Sequence, residues 1–155
     1  FEVIMHLRIP PPIVALIGIL LIFLSKDYIL ILYLHPHLQN TLSLIFLIIG
    51  FVIIFSATKE FKKSDTTVNP MKPETSTSLV SSGIFKYTRN PMYLGLTCIL
   101  LASCFYFSSL LGIIVYVPLF ILYITVFQII PEEETMKDLF NDEYLDYCSK
   151  VRRWI

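Results

Sequence analysis

Residues 90–131 read NPMYLGLTCILLASCFYFSSLLGIIVYVPLFILYITVFQIIP, 42 positions without one Asp, Glu, Lys or Arg. As a helix this run would measure about 63 Å, roughly twice the ~30 Å hydrocarbon thickness of a bilayer. It therefore reads as two passes. Phe105-Tyr106-Phe107-Ser108-Ser109, near its middle, suits a tight turn at an interface, where Tyr prefers to sit. The spacing predicts a helical hairpin with spans 91–106 and 109–130. Working outward, residues 9–25 and 28–58 form two further charge-free blocks of 17 and 31 residues, so 90 of 155 positions lie in three such blocks.

Composition agrees with the blocks. The chain is 55% apolar and 15% charged with a mean hydropathy of +0.72, against roughly 25% charged for a soluble domain. These values exclude a freely soluble globule and a disordered chain. Twelve Lys+Arg balance twelve Asp+Glu, so no basic excess points to nucleic acid. The fold class expected is all-α: a polytopic membrane protein with about four transmembrane helices, a cytoplasmic connecting segment and a C-terminal amphipathic helix. Residues 1–155 make one integral-membrane domain.

The first span, residues 9–25, opens on Pro10-Pro11-Pro12, which suit a helix's first turn. It is slightly short, and a signal peptide is the rival reading, though no A-x-A-like site follows Ser25. The chain begins at Phe1 rather than Met, which leaves the natural N-terminus open. In the second block, residues 28–34 read as a short interfacial piece, His35-Pro36-His37 as a break, and residues 38–58 as the span. Residues 59–89 carry six Lys/Arg and residues 26–40 carry one. The positive-inside rule then puts the middle segment, and with four spans both termini, in the cytoplasm.

The polar mass, residues 59–90 and 131–155, gathers on that side. Residues 64–82 hold nine Ser/Thr and two prolines, the composition of a linker, but include Val68, Met71, Leu79 and Val80. Asn90-Pro91 is a helix-start signal, with Asn as N-cap and Pro at N1. Arg89 beside that N-terminus makes a place for a carboxylate or phosphate; equally, Arg89 reads as an interfacial anchor and Asn90 as a plain cap. Glu132-Glu133-Glu134 after Pro131 read as acids favouring a new helix's dipole. Beyond them Met136, Leu139, Phe140, Tyr144, Tyr147, Cys148 and Val151 recur at helical spacing, and Arg152, Arg153 and Trp154 read as an anchor. Three cysteines without a CxxC, and two histidines two apart, support no metal site. Neither GxGxxG nor GxxxxGK[ST] occurs.

Three stretches, TTVNPMKPETSTSLVSSG (66–83), IFKYTRNPMYLG (84–95) and QIIPEEETMKDLFNDEYLDYCSKVRRW (128–154), together resemble the bacterial branch of the isoprenylcysteine carboxyl methyltransferase and phospholipid methyltransferase superfamily. The resemblance covers residues 9–155, and the last ninety carry its specific part. It implies a membrane methyltransferase, in the bacterial inner membrane, using S-adenosylmethionine bound at the cytoplasmic face by segments 66–95 and 128–147. Carried over by position, Thr77, Ser78, Leu79, Val80, Phe85, Asn90, Pro91, Met92 and Tyr93 line the cofactor, with Glu132 or Glu133 from the acidic cluster. Phe85 stands where the family often has Tyr, and Asn90 where His is commoner. Arg89, Glu132 and Glu133 are the catalytic candidates.

The acceptor implied is lipophilic or prenylated and enters from the membrane lipids, with no nucleic acid and no metal involved. Isoprenylcysteine enzymes carry an Arg about a turn before the Glu pair, linked to the substrate carboxylate. Here Gln128 is the nearest match and the expected substrate contact. It holds no charge, which favours a lipid amine or thiol over a carboxylate. Two other readings stand beside this one: an NADPH-dependent membrane reductase akin to the sterol reductases, and a non-catalytic membrane scaffold.

Overall fold

A computed structural model describes residues 9–28, 30–64 and 78–155. Four helices dominate: α1 is Pro11–Ser25, α2 Pro36–Lys63, α3 Pro91–Tyr106 and α4 Gly112–Lys150. A 3-10 turn, Gly83–Lys86, leads into α3. Among the described residues β-structure is limited to one isolated bridge, Ile31 to Ser109. The chain is thus an all-α membrane protein. By length and hydropathy α2 and α4 can cross a bilayer, whereas α1 and α3, at 15 and 16 residues, are shorter apolar helices of about 22–24 Å.

Helices α1, α2 and α3 each open on a proline, which lacks the N–H that a first turn cannot use. That corrects the reading of His35-Pro36-His37 as a break: α2 begins at Pro36, not residue 38. It also runs on to Lys63 rather than stopping at residue 58, with Lys62 and Lys63 in its last turn, where cations favour the helix dipole.

The largest departure from expectation is α4. The second arm of the hairpin runs on through Pro131 into the amphipathic C-terminal segment without a break until Asn141, where the backbone leaves helical geometry. Pro118 and Pro131 lie inside this run. Each removes a ladder donor and crowds the carbonyl four residues back. Immediately upstream of each the helix widens into a π stretch, Gly112–Tyr116 and Thr125–Ile129, which accommodates the ring. Because Ile129 is itself helical (φ −65°, ψ −49°), Glu132 and Glu133 do not sit at a fresh N-terminus. The dipole account of the acidic cluster therefore fails.

Asn141 bends α4 at φ 45°, ψ −121°, a conformation that glycine adopts without strain. The bend folds residues 142–150 back toward the 3-10 turn. Asn141→Gly is expected to stabilise the protein by about 1 kcal/mol, raising the melting temperature in detergent. An unchanged or lower melting temperature would show that the Asn side chain compensates for the backbone strain.

Two clusters make the core. One joins the apolar helices around Ile22, Leu100, Cys104, Phe120, Ile124 and Ile129. The other gathers Ala57, Val80, Phe85, Tyr144, Tyr147 and Val151 at the charged end. Helices α2 and α3 approach closely at Gly50 and Gly95, where a Cβ on either would lie 2.8 Å from the other's carbonyl oxygen. Ser43 Oγ donates across this seam to the Ala102 carbonyl at 2.9 Å. At the opposite end residues 30–32 of the α1–α2 connector lie against the α3–α4 turn, with Leu32 N bonding Ser108 O at 2.6 Å and Leu110 N bonding Leu30 O at 2.9 Å.

Candidate active site at the charged end of the bundle

A cavity of about 300 Å³ opens where α2 and α3 meet the charged part of α4. Its wall includes Ser78, Leu79, Val80, Phe85, Arg89, Asn90, Pro91, Met92, Tyr93, Glu132 and Glu133. The remaining predicted lining residue, Thr77, lies outside the described residues. Pro11 and Pro12 of α1, Ile54 of α2 and Leu96 of α3 add apolar lining, and Met136, Tyr144 and Tyr147 complete it from α4. The lining is therefore mostly apolar and also carries both signs of charge.

The charged groups are held tightly. Glu133, buried at 8% exposure, accepts from Arg153 Nε at 3.0 Å and Arg153 Nη2 at 2.7 Å. Arg89 Nη2 reaches the same carboxylate at 3.2 Å. Arg89 Nη1 also contacts Tyr144 Oη at 3.5 Å and the Cys148 thiol, while Arg89 Nε is buried with no hydrogen-bond partner among the described residues. The bond to Glu133 keeps the Arg153 guanidinium protonated above its ordinary range. Glu132 accepts from Tyr93 Oη at 2.5 Å, a phenol delivered by the first turn of α3. Tyr147 Oη donates to the Phe85 carbonyl at 2.7 Å, tying the bent end of α4 to the 3-10 turn. Burial pushes the Tyr144 and Tyr147 phenols up, so both remain neutral donors at physiological pH.

Two predicted residues play other parts. Asn90 precedes α3 but makes no side-chain cap. Its amide donates to the Arg153 carbonyl at 2.9 Å, and its own N–H goes to Thr88 Oγ1 at 3.1 Å. The carbonyl laid beside it by the C-terminal tail needs a donor, and a capping oxygen cannot supply one. Gln128 is not among the residues lining the cavity. The π stretch re-phases it into the bundle, fully buried, where Nε2 donates to the Ile9 carbonyl at 3.1 Å and Oε1 has no partner. Its expected contact with substrate is thereby corrected.

The residues and their spacing match a family model described as phospholipid methyltransferase, over residues 38–143. The chain belongs to the phospholipid methyltransferase family. It is a membrane methyltransferase. An uncharacterized protein of Haemophilus influenzae is 45% identical over 67 residues, which are 41% of this chain and all of that protein. No solved structure matches.

Several residues in and around the cavity of this methyltransferase are not legible locally. Arg153 read as an interfacial anchor, yet it is the principal partner of Glu133, twenty positions away. Trp154 likewise turns inward, packing on the bundle core and donating to Thr125 Oγ1 at 3.3 Å. Tyr144 and Tyr147 read as part of an apolar stripe; their hydroxyls, which an apolar stripe does not need, were the available signal. Glu60 had no signal at all. It accepts from Ser82 Oγ at 2.6 Å and Lys63 Nζ at 2.8 Å, directly under Gly83, whose φ of 57° and missing Cβ let the turn settle on that carboxylate.

Proposed function

We propose that this methyltransferase uses S-adenosylmethionine and acts on a lipophilic acceptor that reaches the cavity from the bilayer. The observation that supports it is the joining, in one cavity, of a mostly apolar lining with Arg89, Glu132 and Tyr93. The residues fit the cofactor's chemistry. Arg89 offers a positive charge to a carboxylate, Glu132 offers a carboxylate to a cation, and Phe85 and the tyrosines offer ring faces to an adenine or a sulfonium.

When bound, the cofactor supplies a methyl group activated by its sulfonium. The chain's contribution is positioning and exclusion of water. Tyr93 orients Glu132, the two arginines hold Glu133, and Pro11, Pro12 and Leu96 keep the approach apolar. The six Lys/Arg of residues 59–89 favour a cytoplasmic cavity in a bacterial inner membrane.

Calorimetric titration of the detergent-purified protein with S-adenosylhomocysteine, and in parallel with NADPH, tests the reading. Saturable binding of the former alone is expected. Binding of NADPH alone would move the chain to reductase chemistry, and binding of neither by folded protein would leave it a scaffold.

A further inference from the structure

Past Lys150 the chain leaves α4 in extended conformation, with Val151 at φ −125°, ψ 129°, and crosses the start of α3. Arg89 N donates to the Arg152 carbonyl at 3.1 Å, and Asn90 Nδ2 donates to the Arg153 carbonyl at 2.9 Å. Trp154 anchors the end of the tail on Thr125. This path delivers the Arg153 guanidinium to Glu133 as a two-point clamp at 2.7 and 3.0 Å, shorter than the 3.2 Å contact from Arg89. Two cations thus share one carboxylate. Two guanidiniums against one carboxylate leave a net charge of about +1 on these three groups. Of the two arginines, Arg89 lines the cavity, so this charge bears on the cavity wall.

We propose that Arg153 is a positioning residue that sets the charge of the cavity wall: by offsetting Glu133 it leaves a net positive charge beside Arg89 to attract a ligand carboxylate. The inference rests on the S-adenosyl reading above. It also divides the acidic pair. Glu133 belongs to the internal ion cluster, and Glu132 is the acid presented to ligand. Without Arg153, Glu133 would offset the charge of Arg89 and the wall would lose its anion-binding character.

Equilibrium binding of two ligands tests this without any assay of turnover. S-adenosylhomocysteine carries the amino-acid carboxylate; 5′-methylthioadenosine keeps the adenosine and sulfur but lacks it. Arg153→Met is expected to weaken S-adenosylhomocysteine about tenfold or more, and to change methylthioadenosine less than about twofold. The double variant Arg153→Met with Glu133→Gln removes clamp and carboxylate together, and is expected to return S-adenosylhomocysteine affinity to within about threefold of the parent. Equal loss of both ligands in Arg153→Met, or a double variant no better than the single, would overturn the proposal. Should Arg153→Met fail to fold, the double variant decides by the same threefold criterion. A parent protein that binds neither ligand removes the S-adenosyl reading and this inference together, an outcome distinct from failure of the variants alone.

Discussion

Glutamine in place of Glu132 is expected to weaken S-adenosylhomocysteine binding by about ten- to thirtyfold while leaving the melting temperature nearly unchanged. The side chains are close in shape. The Gln carbonyl can still accept the Tyr93 phenol that Glu132 accepts at 2.5 Å, so packing of α3 against α4 is retained. What disappears is the negative charge on the cavity wall. A charge-assisted hydrogen bond exceeds a neutral one by about 1–2 kcal/mol, and each 1.4 kcal/mol is tenfold in affinity. Titration of the folded variant measures the loss directly. Affinity equal to the parent's would make Glu132 a structural partner of Tyr93 and nothing more.

The second large effect is on the fold. Leucine at Gly95 is expected to destabilise the protein by about 3 kcal/mol or more, at the upper end of what overpacking costs. Even a Cβ there would lie 2.5 Å from Ile54 Cγ1 and 2.8 Å from the Gly50 carbonyl oxygen. In a bilayer, lipid tails compete with apolar side chains, so helices associate through close backbone approach at small residues. Forcing α2 away from α3 removes that approach. Ile54 also lines the cavity, so ligand binding should fall with stability. Thermal unfolding in detergent reads the first effect and titration the second. A melting temperature within a degree or two of the parent's would show that the two helices separate at little cost.

Much of the architecture was legible because membrane insertion is read from composition alone. Residues 90–131 contain no charge over 42 positions, and nothing but helices satisfies the backbone there. The same proline signal was read correctly at Asn90-Pro91 and wrongly at His35-Pro36, because a proline at N1 and a proline after a helix look alike until the flanking periodicity is weighed. The continuity of α4 was not legible. Pro131 followed by three glutamates resembles a helix start, and only the π stretch at Thr125–Ile129 lets the helix pass through the proline.

The sequence by itself determined the class of fold, the membrane setting and the family, because these rest on hydropathy and on local motifs such as Arg89-Asn90-Pro91-Met92-Tyr93. The tertiary structure alone decided who meets whom at the cavity. It paired Glu133 with Arg153 and Arg89, gave the Asn90 amide to a carbonyl 63 positions away, and turned Gln128 into the bundle. Those pairings depend on the bend at Asn141 and the return of the tail over α3. A charge on a surface anchor and a charge clamped on a buried carboxylate are the same letter in the sequence. The path of the backbone sets their distance and their exposure to water, and so separates the two.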